Sequence, residues 1–161
     1  MVTMYSGPDA AHSVRGRVSL VLLAAALGVA ACGGSESAVD GPVMRYPTSG
    51  GGGDQMGAEI RGVVQIDGDC LYLSFDEVGE RSPILWPAST TWDVEAQAVV
   101  LPNGETVSHG DEVEGGGGYL DVGAVERLAG GTAADLAREC VDNTYGEIAV
   151  VNNVDDAIGG A

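Results

Sequence analysis

The sequence predicts a small, mainly β protein: an antiparallel barrel or sandwich of about five to seven short strands with one helix. Short apolar and β-branched runs recur roughly every 8–12 residues after position 58. Turn sequences such as Asp67-Gly68 and Pro102-Asn103-Gly104 separate these runs, and one stretch near position 135 has helical periodicity. We therefore expect one β-rich domain over residues 58–154, followed by a frayed tail at 155–161.

Residues 1–31 have the parts of an export signal. Arg15 and Arg17 form a positive segment before an uninterrupted apolar stretch at 18–31, which is shorter than the roughly 20 residues of a membrane-spanning helix. The stretch ends in Val29-Ala30-Ala31-Cys32, which resembles the lipobox of bacterial lipoproteins. This resemblance implies cleavage before Cys32, a diacylglyceryl group on its thiol, and residence on the extracytoplasmic face of the cell membrane. An ordinary secretory signal that happens to carry a cysteine is the alternative.

Residues 32–57 comprise the predicted lipidation site, Cys32, and a 25-residue stretch at 33–57 that is rich in Gly, Ser and Pro, with no apolar period. Such a composition is typical of a flexible linker. A flexible chain of this length has a root-mean-square span of roughly 25–30 Å. We therefore expect a tether that lifts the folded domain away from the bilayer.

Two hairpins and three further strands make up the predicted barrel. Runs at 60–66 and 70–75 flank the Asp67-Gly68 turn, and runs at 94–101 and 106–108 flank residues 102–104. The remaining strands are expected at 83–86, 111–114 and 147–152.

A single helix is expected just before residue 140. Thr132 and Asp135 resemble a capping box. Ala133, Ala137 and Cys140 fall on one helical face together with Leu136, so the cysteine should point inward.

Cys70 and Cys140 are the cysteines that remain once Cys32 carries lipid. An even pair in an oxidising compartment predicts a disulfide. In the first hairpin, Leu71 and Leu73 should face one side of the sheet and Cys70 the other, so the bond would dock the helix outside the barrel. Two buried free thiols are the alternative.

The chain is strongly acidic, with a net charge of −17. Beyond residue 31 it has 23 acidic residues and five arginines, a net of −18. Phosphate backbones and anionic lipid headgroups repel such a surface. We therefore expect no nucleic-acid partner and a membrane association that depends on the lipid anchor, with a monomeric domain that meets an envelope protein or a cell-wall ligand.

The folded part is similar to a small OB-like barrel found in exported lipoproteins of GC-rich Gram-positive bacteria. Three segments carry the resemblance: Gly68-Asp69-Cys70-Leu71, Leu85-Trp86-Pro87, and residues 115–119. It implies a fold and a location but no particular activity.

Acidic residues crowd three predicted turns and suggest two kinds of chemistry. Several carboxylates in adjacent loops could bind a hard cation such as Ca²⁺, as in an adhesion or sensing domain. Alternatively, two acids about 5–10 Å apart in a cleft could hydrolyse an envelope substrate. The metal candidates are Asp67, Asp69, Asp111, Glu112 and Glu114, and the first hydrolase candidates are Asp76, Glu77 and Asp111.

Three other features have simpler interpretations. His109 has no Gly-x-Ser-x-Gly serine beside it and is interpreted as a solvated turn histidine. No lysine accompanies the glycine run at 115–118, and acidic residues precede it, so a phosphate site is disfavoured. The glycines are interpreted as positions where another strand or loop backbone packs closely. Trp86 and Trp92 could form a ligand platform, but core packing is favoured. No catalytic residue or cofactor is predicted, and a non-catalytic binding module at the envelope is the preferred function.

Overall fold

The computed structural model describes residues 37–47, 56–75 and 79–158, and Ser35–Ala161 forms one compact unit. The predicted signal at 1–31, Cys32, Asp76 and Glu77 lie outside the described residues. The described elements are β1 Val39–Asp40, β2 Val43–Arg45, β3 Ala58–Asp67, β4 Cys70–Ser74, β5 Arg81–Trp86, β6 Thr91–Asp93, β7 Ala98–Val100, β8 Thr106–Val107, β9 Glu112–Asp121, α1 Val122–Ala129, α2 Gly131–Cys140 and β10 Glu147–Ile158.

Five strands close into a barrel. β3 pairs with β4, β4 with β5, β5 with β10, β10 with β9, and β9 with β3. The β5–β10 pair is parallel and the other four pairs are antiparallel. This arrangement confirms the predicted small, mainly β barrel and is consistent with an OB-like fold.

The β3–β4 hairpin follows directly from its sequence. Gly68 takes a positive φ of 60° in the turn, a conformation that glycine adopts without steric cost. Side chains alternate along β3, so that Ile60 and Val64 are buried while Glu59 and Arg61 are exposed. The prediction for both strands and their turn is confirmed.

β9 and β10 are longer than the sequence predicted. β9 continues through the glycine run, and β10 continues to Ile158, where it pairs with Glu112. The expectation of a frayed tail from residue 155 was therefore wrong for 155–158, whose backbone extends the sheet.

Residues 39–45 form a β-hairpin rather than part of the predicted tether. β2 pairs in parallel with β5, matching Met44 to Leu85 and Arg45 to Trp86. Val43 and Met44 are 0% and 2% exposed, so this hairpin contributes to the core. The flexible-tether prediction was wrong for these residues because apolar burial overrides the flexible composition around them.

Two helices, not one, connect β9 to β10. Asp121 caps α1 by accepting a hydrogen bond from the Ala124 N–H at 2.8 Å. α2 begins at Gly131 after a glycine cap, so the predicted capping box at Thr132 and Asp135 was wrong. The inward face predicted for this helix is present, since Ala133, Ala137 and Cys140 are buried.

The hydrophobic side chains form two clusters separated by the barrel wall. Leu71 and Leu73 belong to the cluster inside the barrel, and Ala133 and Ala137 belong to a second cluster beneath the helices. The Cys70–Cys140 disulfide joins β4 to α2, with the two Cα atoms 5.6 Å apart. The predicted disulfide and the docking of the helix outside the barrel are confirmed.

A small sheet, β6-β7-β8, lies between β5 and β9 in the chain. The predicted turn at 102–104 joins β7 to β8, as expected. The predicted strand at 94–101 is correct only from Ala98, because residues 94–97 form a turn in which the Asp93 carboxylate accepts the N–H groups of Glu95 and Ala96, each at 2.9 Å.

Candidate functional site

The predicted metal candidate Asp67 lies in an ion-pair cluster beside the disulfide. Its carboxylate contacts the Arg81 guanidinium at 3.1 Å, and Asp142 contacts the same guanidinium at 2.7 Å. The guanidinium carbon also lies 3.9 Å from the centroid of the Tyr72 ring. Burial, followed by the nearby charge of Asp142, raises the pKa of Tyr72. Asp67 therefore neutralises an arginine instead of offering oxygens to a cation, and Asp69 in the adjoining turn is exposed.

Glu112 and Glu114 are engaged by a single arginine on the neighbouring strand. Arg61 donates a hydrogen bond to Glu112, and its guanidinium lies 3.6 Å from Glu114. The hydrogen bond from Arg61 lowers the pKa of Glu112. Asp111 instead accepts the backbone N–H of Ser108 at 2.7 Å and closes a turn. In the part of the chain that the structure describes, no group of three or more His, Cys, Asp or Glu side chains is placed to hold a metal ion.

His109 is an exposed turn residue that supports the end of β3. Its Nδ1 accepts a hydrogen bond from the Ile66 backbone N–H at 2.9 Å. The nearly buried serine of β5, Ser82, accepts a hydrogen bond from Asn143 at 3.2 Å. The structure therefore places His109 in an exposed turn, as the sequence indicated, and adds a contact with β3 that the sequence did not predict.

Asn143 organises the loop that follows the disulfide. Its Nδ2 donates to the Glu147 carbonyl at 2.8 Å and lies 3.2 Å from the Ser82 hydroxyl, while its Oδ1 accepts the N–H groups of Tyr145 and Glu147. Sequence reasoning missed this residue and Arg81, since isolated Asn and Arg side chains carry no spacing signal.

The glycine run permits close approach of β10, as the sequence favoured. A Cβ built on Gly115 would lie 2.0 Å from the Asn153 carbonyl oxygen, and one on Gly117 would lie 1.9 Å from that of Val150. The register between β9 and β10 shifts between Val151 and Asn153, which leaves Asn152 as the extra residue of a bulge.

An open groove of about 740 Å³ crosses the outer wall of the barrel at this bulge. Its walls come from the start of β3 with Glu59, from residues 114–116 of β9, and from Asn152 and Asn153 of β10. The Asn152 Nδ2 donates to the Met56 carbonyl at 2.8 Å, which fixes the chain entering β3 against β10. This groove therefore presents carboxylate and amide groups along a wall that the bulge holds in place.

A second, smaller groove of about 220 Å³ adjoins the first through Asn152 and Asn153. Its other walls are mostly apolar and include Pro87, Leu101 and Val154. The two grooves therefore meet at the bulge: the first carries the carboxylates of Glu59 and Glu114, and the second is mostly apolar. The sequence did not predict this surface, because the surface depends on a register shift between β9 and β10 that no residue pattern indicates.

Trp86 and Trp92 both pack in or against the hydrophobic core inside the barrel. Trp86 is fully buried inside the barrel, and Trp92 is partly buried against the same cluster. The Trp92 backbone N–H donates to the Asp40 carboxylate at 3.1 Å, which joins the small sheet to the first hairpin. An aromatic ligand platform does not fit a fully buried Trp86.

No protein-family model, curated protein or solved structure matches this chain. Among the described residues, neither helix is long and apolar enough to cross a membrane.

Proposed function

We propose that this chain is an exported lipoprotein that is anchored in the cell membrane through Cys32, and that its barrel is a non-catalytic binding module on the extracytoplasmic side. The observation that carries the proposal is the pairing of Cys70 with Cys140. Structural disulfides belong to oxidising compartments outside the cytoplasm. The pairing also leaves Cys32, at the end of the lipobox-like sequence, as the remaining thiol of the chain.

Binding is a better fit than hydrolysis because the groove carboxylates are not set up for acid catalysis. A carboxyl group that donates a proton near neutral pH is normally buried in an apolar pocket. Glu59 is exposed, and the side chain of Glu114 is 40% exposed and contacts Arg61. These groups are suited to accept hydrogen bonds from a ligand that carries hydroxyl or ammonium groups.

Metabolic labelling with a clickable fatty acid tests the anchor. We expect label on the wild-type protein and none on Cys32→Ser. The matched control is the double variant Cys70→Ser/Cys140→Ser, which lacks the disulfide but keeps the lipidation site and should still be labelled. Label that persists on Cys32→Ser, or an unlabelled wild type recovered from the medium, would overturn the proposal.

Site-directed photo-crosslinking tests the binding role. A photoreactive residue replaces Gly57, which lines the groove and where an added side chain meets no atom within 4 Å, and the control replaces Glu95, an exposed residue of the β6–β7 turn. We expect a discrete crosslinked product from position 57 only, because the groove carboxylates stay in place. Identical patterns from both positions, or no product from either, would contradict a binding function for the groove.

A further inference from the structure

The first hairpin is fastened to the body of the barrel from its first described residue. The Arg45 Nε donates to the Ser37 carbonyl at 2.8 Å, and its Nη1 donates to the Thr90 carbonyl. The Arg45 backbone N–H also donates to the Ala38 carbonyl at 2.8 Å. Arg45 itself is only 8% exposed, so these bonds lie within the folded structure.

This attachment shortens the chain between the predicted lipid anchor and the fold. Four residues, 33–36, separate Cys32 from Ser37. Five fully extended Cα–Cα steps reach at most about 18 Å. The sequence had predicted a 25-residue tether, with a root-mean-square span of roughly 25–30 Å and a far longer maximum reach.

We infer that the hairpin holds the barrel close to the bilayer surface, because Ser37, where the described hairpin begins, can lie at most about 18 Å from Cys32 along an extended chain. This inference rests on the proposed lipid anchor and adds that the module works beside the membrane that carries it. A net charge of −18 beyond residue 31 disfavours adhesion to anionic headgroups, so the short covalent link maintains the proximity.

The native tryptophans report this distance. The Trp86 backbone pairs with Arg45, and a Cβ on Gly41 at the hairpin turn would lie 2.8 Å from the Trp92 ring. Both fluorophores therefore lie beside the hairpin, and energy transfer from them to a dansyl group on lipid headgroups measures the separation of hairpin and membrane.

The experiment uses the mature chain beginning at Cys32, coupled through that thiol to maleimide lipids in phosphatidylcholine vesicles that contain dansyl headgroups. The Cys70–Cys140 bond leaves Cys32 as the reactive thiol. We expect strong transfer in the native chain and loss of most of it when 20 Gly/Ser residues are inserted after Gly34. A flexible segment of 20 residues has a root-mean-square span of roughly 25 Å on its own.

The matched control places the same 20 residues in the exposed β7–β8 turn, between Asn103 and Gly104, where the tether is unchanged and transfer should remain at the native level. Equal transfer in the native and tether-extended chains would overturn the inference. Chemical coupling supplies the lipid whether or not a cell does, so this result is independent of the fatty-acid labelling. The failure of the anchor and the failure of the short tether are thus distinguishable.

Discussion

At the scale of single residues, the glycines of β9 show how a composition that disfavours strands can still specify one. Glycine is depleted from strands because it loses more backbone entropy on folding than other residues. In β9 it is retained because the β10 backbone occupies the space of a side chain at Gly115 and Gly117. The bulge at Asn152, and with it the groove wall, depends on that close approach.

Gly117→Ala should destabilise the protein by about 2–3 kcal/mol, since its Cβ would lie 1.9 Å from a backbone carbonyl oxygen that cannot move without disturbing β10. Urea denaturation monitored by circular dichroism measures the loss. Gly57→Ala is the control because no atom lies within 4 Å of its Cβ, and it should unfold at the wild-type midpoint. A wild-type midpoint for Gly117→Ala would contradict the close strand approach.

The pairing of Glu112 with Arg61 predicts a pH-dependent contribution to stability. The hydrogen bond from Arg61 lowers the pKa of Glu112 in the folded state below its ordinary value of 4.5. The contribution is therefore present above pH 4.5 and is lost as the pH falls through the lower, folded-state pKa.

Melting temperatures of the wild type and Glu112→Gln, measured from pH 7 to pH 3, test this contribution. We expect the variant to melt below the wild type at pH 7 and the difference to shrink as the pH falls below 4.5. The effect is small because both side chains are solvent-accessible. Glu95→Gln serves as an exposed control, and a difference between wild type and Glu112→Gln that persists unchanged to pH 3 would show that the pairing is not its cause.

At the scale of elements, the sequence was most informative where turn chemistry and alternation coincide. The β3–β4 hairpin, with Gly68 in its turn, was predictable on that basis, and so was the helix that carries Cys140. β1 and β2 escaped prediction because strands of two and three residues are too short to show a period. Their burial comes from pairing with β5, which is distant in sequence.

α1 was missed for a related reason. It follows β9 without a loop, so Asp121 is both the last residue of a strand and the cap of a helix. The candidate site residues were harder to predict than the fold. Asp67 contacts Arg81, whereas the neighbouring acids Asp111 and Glu112 contact a turn N–H and Arg61 respectively. Local crowding of charges does not reveal which arginine each acid will contact.

We predict that Arg45 secures the hairpin formed by β1 and β2. Arg45→Met removes hydrogen bonds from the carbonyls of Ser37 and Thr90 in a nearly buried environment, which should cost about 2–3 kcal/mol. Arg127→Met, at an exposed position on α1, is the control and should change stability by less than about 0.5 kcal/mol. Urea midpoints measure both variants, and equal midpoints would show that Arg45 does not secure the hairpin.

At the scale of the whole molecule, stability depends on joining two cores that the barrel wall separates. The interior cluster is closed by five strands, whereas the helices cover the outer cluster mainly with small side chains such as Ala133 and Ala137. Small side chains bury little apolar area, so packing alone holds the helices weakly. The disulfide between β4 and α2 compensates for this by linking the two clusters covalently across 70 residues of sequence.

The double variant Cys70→Ala/Cys140→Ala should therefore lose up to about 4 kcal/mol of stability, the upper value that chain entropy gives for a loop of this length. Thermal unfolding followed by far-UV circular dichroism measures the change. A reductant should lower the melting temperature of the wild type towards that of the variant and leave the variant itself unaffected. If the variant melts with the wild type, the helices are held by packing alone, and the disulfide would lose its structural role in joining the two clusters.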